Sequence, residues 1–549
     1  MIHISRYFEK RHNLSIIFLI IPLALSAFTH IWNPIGFPAF HVDEGHYMRR
    51  AMQVIQGLGP QESKDTYDYG YDHPYFGQIF LAAALSLVNY PYSLNPSINS
   101  HSIEMLYLVP RVLMGILAVV DTFLVYKISE TRYNRKVAFI SATLFAVMPL
   151  SWFLRGIFLD SIQLPFLLLS ILFAVYYAKS ESHYSHINGN NKNILLILLS
   201  GIFLGLAIFT KIPVFTMIPL IAFIILKKEN KSSSNNRSNS SGSNIKTSSR
   251  LKALGIWFVP VVLIPIIWPA YAISLGQFDD WLDGLINQTI RESQRELRYS
   301  IIDVFQMDAL VLVLGGAGLI YAVIKKDYFI LLWAFPYLIF LYFIGWVMDF
   351  NWIVLLPLLS IAVGTLIESL IKTLGSKKFI GLLPYMMISL VVIFGFVSTG
   401  MLVTSNLNTS YTDLYLFITR ELEHGDADLH PKDDNEGTTV IGSHRTRALM
   451  WIPKYVFGDD VIFRDTDIPN DNFSKSVQTK KFLIVADSHL LPRLNSAVQD
   501  EADRRITKLY YNSSQTIATF IDKESSRYNF MQIGLNFGFG PFIEVSANY

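Results

Sequence analysis

The chain has 549 residues, of which 52% are hydrophobic and only 16% are charged, and its formal net charge is +2. This composition excludes a single soluble globular domain and favours a polytopic membrane protein. The absence of cysteine excludes disulfides, thiolate catalysis and cysteine-based zinc sites, and the basic residues form no aromatic-rich stripe of the kind that binds nucleic acid.

Apolar runs of roughly the 20 residues that cross a bilayer recur along most of the chain. We mark eleven of them, at 13–32, 106–126, 137–154, 161–178, 194–210, 212–226, 253–273, 309–324, 328–346, 352–371 and 379–403. Lys and Arg concentrate in cytoplasmic loops, and with the N-terminus inside every inner connection is basic. We therefore expect an integral protein of the cell membrane with a retained first anchor, a cytoplasmic N-terminus and a C-terminal domain outside.

The first outer loop, 33–105, begins with a polar cluster, FHVDEGHYMRR, close to the bilayer. Downstream of Asp43 the apolar residues recur at three-and-four spacing, which predicts an amphipathic helix from 43 to 57 that lies on the outer leaflet. Carboxylates in the first turn of a helix interact favourably with the helix dipole. Asp43 and Glu44 therefore have two explanations at this point, a catalytic role and an acidic helix start.

Other charged residues fall at the outer ends of later spans. Asp160 begins one span, Arg155 precedes it, and Lys211 lies at another helix junction. Charged groups near membrane depth usually face a cavity or a partner. Each alone is explained by pairing at a helix end, but their shared position on the outer side favours a functional site. The apolar segment 75–88 is too short to cross, and we expect it to lie at the interface or to re-enter.

Three further regions have distinct compositions. We expect 227–252, which is rich in Ser and Asn, to be a disordered cytoplasmic loop. The outer loop 274–308 contains an amphipathic stretch that either covers the site or is an ordinary juxtamembrane helix. From 405 to 549 the β-rich runs TTVIGS, DVIFRD, KKFLIVADS and QTIATFIDK alternate with helix-like stretches, which predicts an extracytoplasmic α/β domain. Triplets of the N-x-Ser/Thr type, a weak glycosylation signal, begin at Asn287, Asn408, Asn472 and Asn512.

Four motifs resemble the GT-C class of membrane glycosyltransferases, in particular the protein O-mannosyltransferase and lipid A aminoarabinose transferase group. They are DEGHY at 43–47, HPY after Asp72, the segment 111–171 with an Arg opening one span and an Asp opening another, and TKIPVF. The resemblance covers roughly 10–370 and is strongest in the first 220 residues. Two departures are Tyr75, where relatives have the second Pro of an HPP turn, and DFNWIVLLPLL, where relatives have Arg-Tyr or His-Tyr. The resemblance implies a polytopic α-helical GT-C domain in 1–404.

The resemblance also implies an activity. An inverting transferase of this class would move a sugar, a mannose-like hexose, from a polyprenyl or dolichyl phosphate to an acceptor hydroxyl of a protein, a lipid or a polysaccharide. One base suffices for this chemistry because phosphate is a good leaving group once cations balance its charge. The resemblance assigns this role to Asp43, with Glu44 as the second choice.

The other expected site residues are cations for the lipid phosphate and groups that organise the site. Preorganised cations stabilise the charge that develops on a leaving phosphate. The candidate cations are Arg155, Lys211, Arg111 and His46. The candidates for binding the acceptor or organising the site are Asp160, His73, Asp72 and Tyr47. The sequence identifies no certain cofactor and leaves a divalent cation open, to which Asp43 and Asp160 would supply only part of the oxygen ligands.

A transporter or lipid-sugar flippase without transferase activity is the competing class. Transporters typically place charges at the bilayer midplane, between broken helices from inverted repeats. Here the acidic residues cluster on one side of the membrane, beside a long outer loop, which favours the transferase.

Overall fold

The computed structural model describes most of the helical part of the chain and short segments of the C-terminal part. The described ranges are 2–61, 71–180, 188–227, 242–289, 296–375, 380–424, 438–442, 446–449, 451–458, 463–465, 481–487, 515–521 and 542–548.

Within these ranges the structure has seventeen α-helices. They are α1 Ile2–Ile31, α2 Val42–Ile55, α3 Phe76–Ser86, α4 Ser100–Met105, α5 Leu108–Arg132, α6 Arg135–Val147, α7 Leu159–Lys179, α8 Asn188–Thr210, α9 Ile218–Leu226, α10 Gly242–Ser274, α11 Phe278–Thr289, α12 Leu297–Met307, α13 Ala309–Lys325, α14 Tyr328–Phe343, α15 Leu356–Leu374, α16 Leu383–Val403 and α17 Thr409–His424. The longer 3₁₀ helices are Pro149–Arg155, Ile212–Met217, Asp349–Leu355 and Thr446–Leu449, and a π-helical turn covers Pro453–Phe457.

The described helices identify an integral membrane protein. Six stretches are long and apolar enough to span a bilayer, and eight if each of two bent helix pairs counts as one span. Large apolar side chains on α10 and α16, among them Leu263 and Met386, are exposed on the protein surface, where lipid would cover them. Four other apolar helices are shorter, so length alone does not confirm eleven crossings.

Proline and capping residues explain the bent pairs. The run 137–154, expected as one span, is broken: Met148 adopts an extended conformation before Pro149, and the chain bends by 70° between α6 and the following 3₁₀ helix. At the second break, of 118°, the Asp308 carboxylate accepts the Val311 N–H and caps α13. Both breaks bring polar main-chain groups together at helix ends.

Helices α7, α8 and α10 pack closely in the main core. Ser170 and Ser200 exchange hydrogen bonds between α7 and α8, with their Oγ atoms 2.6 and 2.9 Å from each other's carbonyl oxygens. On its other face α8 meets α10 through two glycines. A Cβ at Gly201 would meet the Trp257 carbonyl oxygen, and one at Gly205 would lie 2.6 Å from the Pro260 oxygen. Small residues of this kind let helix backbones approach in membranes.

Part of the segment 227–252, predicted to be a disordered cytoplasmic loop, is helical, because α10 begins at Gly242. Residues 228–241 lie outside the described part of the chain. In 274–308, predicted to be an outer loop, the described residues include two helices, α11 and α12.

Five strands in the C-terminal segments form one mixed sheet. They are β1 Thr438–Gly442, β2 Phe463–Asp465, β3 Lys481–Asp487, β4 Gln515–Ile521 and β5 Phe542–Asn548. Their order is β2-β1-β3-β5-β4; β1 runs parallel to β2 and β3, and β5 antiparallel to β3 and β4. The sequence predicts no strand at β5. The helix-like stretch 489–503 lies outside the described residues, so an α/β domain over 405–549 stays a prediction.

The close contact of α8 with α10 predicts a stability loss on substitution. We expect Gly201→Ala to destabilise the protein by about 1–3 kcal/mol, because the added Cβ would collide with main-chain atoms of α10 that cannot rotate away. Gly316→Ala in α13, where a Cβ meets nothing within 4 Å, is the matched control. Thermal unfolding in detergent measures both, and equal melting temperatures would contradict the prediction.

Candidate functional site

The N-terminus of α2 is fixed by a reciprocal cap. The His41 Nδ1 atom accepts the Asp43 N–H at 3.2 Å, and the His41 N–H donates to Glu44 Oε2 at 3.0 Å. The amphipathic helix predicted from Asp43 to Gly57 is therefore present as α2, beginning one residue earlier and ending at Ile55. The Asp43 side chain keeps 32% of its surface exposed and lies 3.9 Å from the His41 ring.

Glu44, in contrast, is fully buried and fully bonded. Its Oε1 accepts from Arg111 Nε and from the Ile157 N–H, both at 3.0 Å, and its Oε2 accepts from Arg111 Nη2 at 2.6 Å. Arg111 also donates to the carbonyl oxygens of Pro34 and Pro38, at 3.1 and 2.8 Å. The geometry favours a structural role for this pair, instead of the catalytic and phosphate-binding roles expected from the sequence.

Arg155 is also committed to the main chain. Its guanidinium is 1% exposed and donates to the carbonyl oxygens of Thr29 at 2.7 Å and of Asn33 and Phe37 at 3.0 Å. Positive groups satisfy the carbonyls at the C-terminus of a helix, and Arg155 does this for α1 and the loop after it. These contacts explain Arg155 without a phosphate ligand.

Asp160 and Lys211 form a second buried ion pair. The Lys211 Nζ lies 2.7 Å from Asp160 Oδ2, and the two residues are 5% and 2% exposed. The pair joins the start of α7 to the end of α8, and Gln163 reinforces this junction by donating to the carbonyl oxygens of Ala207 and Lys211. The same Nζ lies 4.6 Å from the centre of the Phe350 ring, within the range of a cation–π contact.

The DHPY turn adds a third charged group. Arg50 Nη1 lies 2.7 Å from Asp72 Oδ1, and His46 Nε2 lies 3.7 Å from Asp72 Oδ2. Burial opposes ionisation of Asp72, but the charge of Arg50, with His73 and His46, more than offsets it and holds the pKa of Asp72 well below its usual range. Arg49 Nη2 lies 3.0 Å from His46 Nδ1. His46 is therefore tied into this network.

Tyr47 shows that the acidic groups converge. Burial, followed by the negative charges of Asp43, Asp72 and Asp160, raises the pKa of the Tyr47 hydroxyl well above its usual value. Asp43 and Asp160 are also close enough for their charges to interact with each other. Residues far apart in the sequence thus surround one region, where Asp160 is paired with Lys211 and Asp72 with Arg50.

The described residues do not form a metal site. No group of three or more His, Asp or Glu side chains in this part of the chain is arranged to hold an ion. The Asp160 carboxylate is bonded to Lys211, so the pair of ligands that the sequence suggested, Asp43 and Asp160, does not fit a hard cation that needs several oxygens.

Aromatic side chains that the sequence does not single out lie beside these charges. Phe158 and Phe350 stack with ring centres 5.4 Å apart, and both rings meet the His41 imidazole edge to face, at 5.1 and 6.2 Å. Phe350 belongs to DFNW, where the sequence departs from the family's pattern. His41 precedes the acidic pair and caps α2, but histidine is not among the residues that usually signal a helix start.

Asn408 holds the loop before α2 in place. Its side-chain amide donates to the carbonyl oxygens of Ile35 and Pro38, at 2.6 and 2.9 Å, and its Oδ1 accepts the Phe40 N–H at 2.8 Å. Asn408 is fully buried, so this N-x-Ser/Thr triplet is inaccessible to glycosylation in the folded protein. Asn287 lies exposed on α11, and Asn472 and Asn512 lie outside the described residues.

Residues 65–276 match the family model of dolichyl-phosphate-mannose-protein mannosyltransferase. This range includes Asp72, Arg111, Asp160 and Lys211, whereas Asp43 lies before it. No curated protein sequence matches the chain.

Solved structures share the fold over most of the chain. ArnT from Cupriavidus metallidurans, bound to undecaprenyl phosphate, is 11% identical with a TM-score of 0.55, and the match covers 98% of both chains. The oligosaccharyltransferase of Archaeoglobus fulgidus, tethered to an acceptor peptide, is 13% identical with a TM-score of 0.55, covering 86% of this chain and 69% of that one. The same archaeal enzyme in complex with an inhibitory peptide and a dolichol-phosphate has a TM-score of 0.51 at 13% identity, with the same coverage. At these identities the likeness establishes the fold, and with the family match it confirms the predicted resemblance to GT-C glycosyltransferases.

His73 generates a pH prediction. Burial, which outweighs the opposing charge of Asp72, lowers the pKa of His73 from 6.5 to about 4. Between these values the unfolded chain binds a proton that the folded protein does not, so the free energy of unfolding falls as the pH is lowered through this window. We expect the melting temperature of His73→Gln to fall less between pH 7 and pH 5 than that of the wild type.

The exposed His101 of α4 provides the control, since His101→Gln should keep the wild-type pH dependence. Equal slopes for wild type and His73→Gln would contradict the assignment of a neutral His73.

Proposed function

We propose that this protein is an inverting GT-C glycosyltransferase that moves a sugar, a mannose-like hexose, from a polyprenyl or dolichyl phosphate to an acceptor hydroxyl at the outer face of the membrane. The observation that carries the proposal is the convergence of Asp43, Asp160 and Lys211 at helix ends. Asp160 and Lys211 lie within the region that matches the mannosyltransferase family model, and Asp43 lies before it. Structures of this fold that contain undecaprenyl phosphate, dolichol-phosphate or an acceptor peptide support a lipid-linked donor and a protein acceptor.

Asp43 is the general base in this proposal. Its side chain is 32% exposed, whereas those of Glu44 and Asp160 are 0% and 3% exposed, so Asp43 is the more accessible carboxylate for an acceptor hydroxyl. As the acceptor oxygen attacks the sugar C1 from the face opposite the phosphate, its proton moves to Asp43 and the C1–O bond to the phosphate breaks. The bonding electrons stay on the phosphate oxygen, so the sugar is transferred with inversion.

Lys211 is the cation that receives the lipid phosphate. Among the cations expected from the sequence, Arg111 and Arg155 bond to groups inside the protein and His46 lies against Asp72. Within the described part of the chain Lys211 has one carboxylate partner, and it is close enough to the DHPY turn for its charge to act on His73. Asp160 orients the ammonium group until the donor phosphate arrives, and the charge-assisted contact with phosphate then stabilises the leaving group.

The remaining predicted residues position these two groups. Glu44 and Arg111 hold the start of α2, and Arg155 holds the loop that precedes it. Asp72 binds Arg50 of α2, and His46 binds Arg49 on the next turn of α2. Tyr47 is buried and fills the space among the carboxylates. This assignment replaces a second base and three phosphate ligands with a rigid support for Asp43.

The same proposal includes the membrane topology. The eleven crossings expected from the sequence would be the six long spans, the two bent pairs and the three shorter apolar helices other than α3. With the N-terminus in the cytoplasm, α2, the DHPY turn, Asp160 and Lys211 all lie at the outer face, where a carrier lipid reaches them from the side and a hydroxyl from the water.

A transporter or flippase is the second candidate, and the described residues favour it less. The site is at helix termini beside the short helices α2 and α3, whereas transporters typically bind substrate at the midplane. A direct discriminator is the release of free polyprenyl phosphate from a labelled lipid-linked hexose when acceptor is added to the purified protein in detergent. A flippase would release none.

The base assignment predicts a selective loss of activity. With a panel of polyprenyl-phosphate-linked hexoses, Asp43→Asn should lower the transfer rate by about 10²–10⁴-fold, because general base catalysis typically contributes this factor. Its melting temperature should stay close to the wild-type value, since the side chain is partly exposed.

Glu44→Gln is the matched control for Asp43→Asn. It should lose stability, because removing one charge from a buried pair leaves the Arg111 charge uncompensated. Residual transfer above one tenth of the wild-type rate in Asp43→Asn would remove Asp43 from the role of base.

The phosphate assignment is tested by binding of undecaprenyl phosphate alone. A hydrogen bond to a charged group contributes about 1.5–3 kcal/mol, so Lys211→Met should weaken binding by about 10- to 150-fold. The double variant Lys211→Met/Asp160→Asn should bind as weakly, and it leaves no unpaired carboxylate that could perturb folding. Asp160→Asn alone keeps the ammonium group and should bind better than either. Wild-type affinity in both Lys211 variants would contradict the assignment.

A further inference from the structure

The C-terminal part of the chain reaches back to the helix that carries Asp43. We call residues 446–449 and 451–458 the brace. Ala448, Trp451, Ile452 and Tyr455 of the brace are buried in one apolar cluster with residues of α2, α3, α4 and α5. The brace follows strand β1 in the sequence, so it links the C-terminal sheet to α2.

The closest approach is between Gly45 and Ala448. A Cβ at Gly45 would lie 2.6 Å from the Ala448 Cα atom and closer still to the Ala448 carbonyl oxygen. Only a residue without a side chain permits this contact, in the first turns of α2 and two residues from Asp43. Further along the helix, Gln53 Nε2 donates to the Tyr455 hydroxyl at 2.9 Å. The brace therefore meets α2 at two separate places.

Tyr107 connects the brace to the Glu44–Arg111 pair. Its hydroxyl accepts the Trp451 indole N–H at 3.2 Å and donates to the Ala448 carbonyl oxygen. Its ring lies 5.3 Å from the Arg111 guanidinium, whose partner Glu44 caps α2. All of these side chains are buried, with Trp451 1% exposed and Tyr107 fully buried. A continuous set of contacts therefore runs from Trp451 to the residue next to Asp43.

We propose that Trp451 is a positioning residue for the reaction: its N–H fixes the Tyr107 hydroxyl on the Ala448 carbonyl and so sets where α2 holds the Asp43 carboxylate. The proposal rests on the proposed function, and it assigns a contribution to the reaction to the C-terminal part of the chain. Misplacement of a reacting group by about 1 Å can cost about 10²-fold in rate without weakening substrate binding.

The test uses the full-length protein with Trp451→Phe, which keeps an apolar ring and removes only the N–H donor. We expect the transfer rate constant kcat to fall by about 10- to 100-fold, with the KM for the lipid donor unchanged. Trp257→Phe is the matched control, because Trp257 is also buried but its N–H has no hydrogen-bond partner among the residues that the structure describes. It should keep the wild-type kcat.

A second measurement follows the position of α2 directly. The chain has no cysteine, so spin labels on two introduced cysteines report a single distance. One label is placed at Gln56→Cys, the residue that caps the end of α2. The other is placed at Phe343→Cys, at the end of α14, where Phe343 is 77% exposed. Trp451→Phe and Gly45→Ala should shift or broaden this distance. Gly400→Ala, where a Cβ meets nothing within 4 Å, should not.

The outcomes separate the two proposals. If Trp451→Phe keeps the wild-type kcat, or if kcat falls while the label distance is unchanged, Trp451 does not position α2. If the wild-type protein transfers no sugar from any donor, the proposed function fails, and the label distance still decides whether the brace fixes α2. A fall in kcat together with a displaced α2 and an unchanged KM supports both.

Discussion

The buried ion pair of Glu44 and Arg111 is the constraint on which the rest of the site depends. Removing two charges from water costs several kcal/mol each, and their attraction compensates only when the remaining hydrogen-bonding groups are also satisfied. Here they are: Glu44 accepts from Arg111 twice, from the Ile157 N–H and from the His41 N–H. These partners come from α2, α5 and the loop before α7, so one carboxylate determines where three segments meet. Because Asp43 is the residue before Glu44 and shares its cap on His41, this arrangement also fixes the position of Asp43.

The other cations near this site also have partners inside the protein, and these partners differ in kind. Arg50 bonds to Asp72, and Arg155 bonds to carbonyl groups. Among the residues that the structure describes, Asp160 is the one carboxylate paired with Lys211, whose ammonium group also lies against the Phe350 ring. A donor phosphate at this position must share Lys211 with Asp160 or displace it. Binding of the donor would therefore change the electrostatic environment of Asp160, and with it that of Asp43, because the two carboxylates already interact.

Part of this arrangement is predictable from the sequence. The amphipathic pattern after Asp43 predicts α2, and the polar residues at span ends predict that Asp160 and Lys211 lie on one side of the membrane. The choice of partner is not predictable. Asp43 and Glu44 are adjacent, yet only Glu44 faces an arginine 67 positions away, because a helix separates neighbouring side chains by about 100° and tertiary packing decides which one is buried. Likewise, the sequence suggests Arg155 as a phosphate ligand but does not reveal that its guanidinium donates to carbonyl groups at the end of α1. The helical start of α10 at Gly242 has no apolar signal at all.

The position of the site at helix termini has a physical cause. A helix that ends near the surface of a membrane leaves carbonyl or N–H groups without internal partners, and side chains must supply them. Gln163 satisfies the last carbonyls of α8, Arg155 those of α1, and Glu44 the N–H groups at two segment starts. The polar residues that finish these helices are thus required by the fold itself. Because they already concentrate charge at one end of the bundle, the proposed reaction needs few additional groups there: the partly exposed carboxylate of Asp43 and the ammonium group of Lys211.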